Sequence, residues 1–198
     1  MPNWCECELT VKGSKVELKK YIKQAKGPNG VLDFNKFIPY PEKFEELDES
    51  INQRWKEREK NLRRLEAEYK AELEKYPVSL PSEELKKLRN ELPNDGYNQG
   101  GYEWCIAQWG TKWNASDPLL VKRLDADREE KDDIILYDFS TAWSPPMPVV
   151  KKMSELFPEL LFTLKCWEGG GGYRGLLRVK NNKVLAACTY DYCGNRGG

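Results

Sequence analysis

The sequence contains no histidine. Histidine is the side chain whose ordinary pKa straddles neutral pH, so its absence excludes histidine-based nucleophile triads, general bases and metal ligation together. Any catalysis would fall to carboxylates, lysine, tyrosine or thiolate. Long apolar runs are also missing. The longest are short pieces such as Leu160-Leu161-Phe162, far below the roughly 20 residues that span a bilayer. The start, Met1-Pro2-Asn3-Trp4, lacks a basic segment followed by an apolar one. No secretory signal and no membrane partner are therefore expected, and the location expected is the cytoplasm. No Cys-x-x-Cys pair occurs among Cys5, Cys7, Cys105, Cys166, Cys188 and Cys193. The nearest metal-like spacing, Cys188 with Cys193, supplies two ligands where structural zinc needs four. No metal and no cofactor are expected, and the thiols read as reduced, mostly buried small hydrophobes. An excess of either charge is absent as well, since Lys+Arg and Asp+Glu both total 32. A neutral chain has no general attraction for polyanions, so nucleic acid is not an expected partner.

What is present is enough chain, 198 residues, for one domain with an appendage. Residues 4–12 alternate as a strand, with Cys5, Cys7, Leu9 and Val11 on one face. Ser14 with Glu17 forms a capping box, and Leu18, Tyr21, Ile22 and Ala25 make the buried stripe of a helix that Gly27-Pro28 stops. Residues 31–38 read as a second extended segment. Residues 42–76 are dense in Glu, Lys and Arg, with a narrow seam of Ile51, Trp55, Leu62, Leu65, Tyr69, Leu73 and Tyr76. Glu59 with Arg63 and Glu66 with Lys70 are favourably spaced helical pairs. After Pro77 and Pro81, Ser82 caps a shorter helix carrying Leu85, Leu88 and Leu92, which could pack back on the seam. Residues 42–93 thus read as a helical hairpin inserted in a domain formed by 1–41 and 94–198.

Residues 94–101 read as a loop and 102–109 as a short helix, while 110–114 lead into a turn or strand. Residues 134–139, 160–167, 173–180 and 183–190 read as strands, and 147–157 as a helix with Val149, Val150, Met153, Leu156 and Phe157 inward. Asn181-Asn182 is a two-residue turn suited to positive φ. The order is that of an α+β fold. It predicts a ferredoxin-like split βαβ sandwich with an antiparallel sheet, a C-terminal hairpin and a charged helical insertion.

Seven tryptophans is a high number for this length. Trp104, Trp109, Trp113 and Trp143 lie in polar-rich segments, Trp109-Gly-Thr111-Lys112-Trp113-Asn114 and Thr141-Ala-Trp143-Ser-Pro-Pro146. Such segments serve equally as a lid on the core or as an open pocket for planar ligands, bases or cations. Glu168, the glycines 169–172 and Tyr173 form a further notable run. Phosphate-binding glycine loops open a helix, whereas this one joins strands and reads as a turn. Glu168 and Tyr173 join Trp104, Trp109, Thr111, Lys112, Trp113, Asn114, Thr141 and Trp143 as candidate ligand-binding residues. No catalytic residue is assigned.

The start Met1-Pro2-Asn3-Trp4-Cys5, the strand end Val11-Lys12-Gly13, the block Trp104-Cys105 to Trp109-Gly-Thr-Lys-Trp113, the Thr141-Ala-Trp143-Ser-Pro-Pro146 segment and Phe157-Pro158 resemble the YubB-like family. Gln108 departs from the asparagine that family would place there. The resemblance implies a ferredoxin-like domain and an origin on phages or conjugative plasmids. Three functions follow as expectations, and a fourth, sequence-nonspecific RNA binding on the sheet face, is weakened by the zero net charge. The first is a non-catalytic protein, active against host defences, that captures a nucleotide-like or planar polar molecule. The second is an inhibitor of a host protein acting through residues 42–93. The third is a nucleotide-processing enzyme using Glu168, Asp138 or Lys112.

Overall fold

Alternation along the first strand buries Cys5, Cys7, Leu9 and Val11 and leaves Trp4 and Glu6 exposed, forming β1 (Trp4–Gly13). The computed structural model describes residues 3–28, 30–91, 95–122 and 133–193. Met1, Pro2, Leu92 and Asn94, used above, lie outside them. The chain divides into two compact units, Met1–Pro39 with Glu103–Gly198, and Tyr40–Tyr102.

In the first unit β1 leads to α1 (Lys15–Ala25), whose N-cap Ser14 accepts from the Glu17 backbone N–H at 3.4 Å. After the intervening unit come the short helix α4 (Tyr102–Gln108), β2 (Ser116–Lys122) and β3 (Asp133–Ala142). The unit ends with α5 (Met147–Leu156), β4 (Leu161–Glu168), β5 (Tyr173–Lys180) and β6 (Lys183–Asp191). The sheet order is β2-β3-β1-β4-β5-β6, antiparallel at every pairing. Strands β3 and β4 flank β1 in parallel to each other, joined by α5. That is the split βαβ arrangement, so the unit is a ferredoxin-like α+β fold extended by a hairpin. Asn181 and Asn182, at φ 47° and 57°, make the hairpin turn.

One face of the sheet carries the helices. Tyr21 of α1, fully buried, meets Tyr137 of β3, Phe162 of β4, Phe37 and Phe157 edge-on or stacked, with centroids 5.3–6.1 Å apart. Its hydroxyl donates to Met153 Sδ of α5 at 3.3 Å. The opposite face presents Glu6, Asp138, Lys165 and Arg174 to solvent.

The expected second strand at 31–38 is corrected. Phe34–Lys36 is a single 3₁₀ turn, because the Asp33 side chain accepts from the Asn35 N–H at 3.0 Å. Such local side-chain bonds draw the backbone away from a ladder. The strand position is taken by β2, where Pro118 is tolerated because β2 is an edge.

In the second unit, α2 (Glu42–Lys75) is a single 34-residue helix and α3 (Glu83–Asn90) returns against it. Arg58 lies over the Trp55 ring at 4.2 Å and donates to the carbonyls of Leu88 and Glu91, closing the end of α3. Glu59 meets Arg63 as its spacing implies, while Glu66 meets Arg89 of α3 at 3.4 Å. Within 94–101, Tyr97–Gly101 is a π turn rather than an open loop, with the Tyr97 N–H held by Asp48 at 3.1 Å.

Candidate functional site

The ten residues singled out above separate into a buried scaffold and an exposed cluster. Trp109 is buried, edge-on to Phe34 and Trp104, and its indole N–H donates to the Ile38 carbonyl at 2.8 Å. It is a core residue. Trp104, half-buried, packs on it. Asn114 accepts from the Phe34 and Ala115 N–H groups and donates to Asp33 at 2.8 Å, so its amide is occupied by the backbone turn it stabilises. Thr111 is fully buried and donates to the Ala142 carbonyl at 2.9 Å. Thr141, also fully buried, donates to the Ser144 carbonyl at 2.8 Å, and Ser144 donates to the Gly110 carbonyl at 2.7 Å. Two hydroxyls, those of Thr111 and Ser144, therefore tie the 110–111 turn to the 141–144 turn, and the Thr141 hydroxyl closes the latter on itself.

Those ties set Lys112 and Trp113 beside Trp143. The Lys112 ammonium lies 4.6 Å from the Trp113 ring centroid and 4.4 Å from that of Trp143. Both geometries are within cation–π range. Trp113 is 39% exposed and Trp143 45% exposed. Trp4, on the helix-free side of β1, joins them with its centroid 6.1 Å from that of Trp113. Trp4 was missed as a site residue. Its signal was a tryptophan in phase with Glu6 and Glu8, the polar positions of the strand.

Trp143 adopts φ +72°, a left-handed conformation that is an outlier for a bulky side chain. Its backbone is held from both sides. The N–H donates to the Asn3 carbonyl at 2.9 Å, and the Tyr173 hydroxyl donates to the Trp143 carbonyl at 3.0 Å. Backbone strain of this kind costs about 1–3 kcal/mol and persists where the surroundings over-determine it.

Glu168 is buried, and its carboxylate accepts the N–H groups of Gly170, at 2.7 Å, and Gly171. The glycine loop's donors thus face a carboxylate of the same chain, which opposes phosphate there. Next to it lie three thiols, with Cys7 opposite Cys166 across β1 and β4. Hydrogen bonds from Cys166 and then Cys7, aided by Tyr173 and Thr141, hold the Cys5 thiol well below its ordinary value. The Cys5 hydrogen bond and burial push Cys7 and Cys166 up. All three are buried, so this is an internal hydrogen-bonded cluster. Among the described residues, no group of three or more Cys, Asp or Glu could hold a metal ion, and no helix is long and apolar enough to cross a membrane.

Residues 108–196 match the family described as "Ferredoxin-like domain in Api92-like protein". The matched range holds Lys112, Trp113, Trp143 and Tyr173 but not Trp4. Among solved structures, the chain resembles the crystal structure of a protein api92 from Yersinia pseudotuberculosis. The TM-score is 0.51 at 11% identity, covering 98% of this chain and 100% of that one. No curated protein matches the chain. At 11% identity the likeness is one of fold. The chain therefore carries, over residues 108–196, a ferredoxin-like domain similar to that of Api92-like proteins.

Proposed function

We propose that this chain is a non-catalytic binding protein that captures a planar, anionic, nucleotide-like molecule on Trp4, Lys112, Trp113 and Trp143. The single observation behind the reading is Lys112 lodged between two exposed tryptophan rings. A neutral planar ligand would have to displace the ammonium from both rings, at about 0.5–1 kcal/mol for each exposed cation–π contact. An anionic ligand gives the ammonium a stronger partner and frees the ring faces for stacking in the same step. The site thereby favours a phosphorylated nucleoside over the bare nucleoside. In the mobile-element setting that the YubB-like resemblance implies, the captured molecule would be a host defence signal.

The test is tryptophan fluorescence titrated with matched nucleosides and nucleotides, followed by mass spectrometry of the molecule released on heating. Nucleotides should bind at least tenfold tighter than their nucleosides. Lys112→Ala should erase that difference by weakening the nucleotide alone, and Trp113→Ala should weaken both. A nucleotide preference that survives Lys112→Ala ends this reading, and release of a chemically altered nucleotide replaces it with an enzyme.

A second reading has its own observation. At the turn between α2 and α3, Tyr76, Val78 and Leu80 are 66%, 91% and 80% exposed. Three neighbouring exposed apolar residues suit a protein partner. If that tip docks a host protein, Val78→Asp with Leu80→Ser should abolish co-purification while leaving the circular dichroism spectrum unchanged. Retained co-purification would exclude the tip.

A further inference from the structure

The helix-free face of the sheet segregates charge that the composition hides. Its β1 and β3 positions carry Glu6, Glu8 and Asp138, with Lys12 at the end of β1, while its β4 and β5 positions carry Lys165, Arg174, Arg178 and Lys180. Only one ion pair crosses the divide among the described residues, Lys165 with Glu8 at 3.9 Å. A polyanion is therefore drawn to the β4–β5 half, whose positions on this face carry no carboxylate, rather than to the half that carries Glu6, Glu8 and Asp138.

The basic half is also a groove of about 600 Å³. Its lining includes Lys165, Trp167, Arg174, Leu176, Tyr190 and Tyr192. Register puts three of these in one row across adjacent strands, since Trp167 pairs with Arg174 and Arg174 pairs with Tyr190. The Arg174 guanidinium carbon lies 5.7 Å from the Tyr190 ring centroid. With strands about 4.8 Å apart, the two aromatic side chains stand roughly 10 Å from each other with a cation between them. Tyr190 is 57% exposed.

We propose that this groove binds single-stranded nucleic acid, with successive bases on Trp167 and Tyr190 and the intervening phosphate on Arg174. An unpaired strand presents alternating ring faces and anions, which is the order aromatic, cation, aromatic along the row. A duplex hides its ring faces, and an acidic polypeptide has none to offer. Lys165, one row along, meets a neighbouring phosphate. None of these residues belongs to the Lys112 cluster, so the two readings stand or fall separately.

The test uses fluorescence anisotropy of labelled ten-nucleotide oligo-dT and oligo-U with the full chain, at about 50 mM salt and upward. Binding to the single strand should exceed binding to a duplex of equal length. Arg174→Ala should weaken it about tenfold and lower the slope of log affinity against log salt by about 0.7. Tyr190→Ala should weaken it about tenfold with that slope unchanged. Lys20→Ala, on helix α1, should change nothing. Both site positions are exposed, so circular dichroism should report an intact fold. No binding at the lowest salt, equal binding to duplex, displacement by poly-glutamate as effective as by unlabelled strand, or wild-type affinity in both variants would each overturn the proposal.

Discussion

Trp143 concentrates the residue-scale question, because its backbone and its ring pull in different directions. The left-handed φ is unfavourable for a branched or bulky side chain, yet the ring is nearly half exposed. The strain persists because the Asn3 and Tyr173 hydrogen bonds hold the backbone from both sides. Comparison of Trp143→Gly with Trp143→Ala separates strain from packing, since both delete the ring. Elsewhere glycine is the costlier choice. Here Trp143→Gly should be more stable than Trp143→Ala by about 1 kcal/mol in urea unfolding, and both should lose nucleotide capture. Equal stabilities would show that the turn relaxes without the ring. The exposed cluster was only half legible in the chain's own residues. Trp113, Lys112 and Trp143 stand out as aromatic or charged residues in short polar segments with glycine, threonine and proline. Trp109, Thr111, Asn114 and Thr141 lie in the same segments, but their polar atoms are spent on partners that only the folded chain supplies.

At the scale of elements, the site rests on two turns held side by side. Gly110 is the point of closest approach. At φ +79°, an added Cβ would lie 2.5 Å from Pro148 Cδ and 3.2 Å from the Pro145 carbonyl. Gly110→Ala should therefore cost about 2 kcal/mol through strain and overpacking combined. It should also weaken ligand capture, because Lys112 and Trp113 follow directly. Thermal unfolding and fluorescence titration check the two parts, and an unchanged melting temperature would contradict the geometry. Elements with strong periodicity were readable in advance: β1, α1, α5 and the strands from β4 onward all follow period 2 or 3.6. The misreading at 31–38 has a physical cause, because alternation there is overridden by one aspartate capping a turn. Strand β2 escaped notice because Asp117 and Pro118 weaken its pattern, and the sheet edge forgives both.

For the whole molecule, the buried tyrosines at the centre of the helix–sheet interface set the response to alkali. Burial pushes Tyr21 well above its ordinary value, with the neighbouring Tyr137 adding to it, and burial alone pushes Tyr137 up. Both hydroxyls ionise near pH 10 in an unfolded chain. A folded pKa above the unfolded one means that the stability is fully present below about pH 10 and is lost as pH rises past it. Stability measured in urea should therefore fall above about pH 10, with absorbance near 295 nm rising as the chain unfolds. Tyr21→Phe combined with Tyr137→Phe should flatten that fall, the more so because the Tyr137 hydroxyl has no hydrogen-bond partner among the described residues. A double variant that loses stability at the same pH as the parent would place the alkaline transition elsewhere.

By itself the order of residues determined the periods of the strands and helices, the tight Asn181-Asn182 turn, the ferredoxin-like class and the exclusion of histidine chemistry. These are local or compositional properties, carried by neighbours three or four positions apart. Tertiary structure alone decided which tryptophans are core and which are surface, since burial depends on partners such as Ile38 and Phe34 that lie some 70 residues away. It also decided the charge pattern of the open face. A neutral total says nothing about a sheet whose register gathers Arg174 and Arg178 on one half and Glu6, Glu8 and Asp138 on the other.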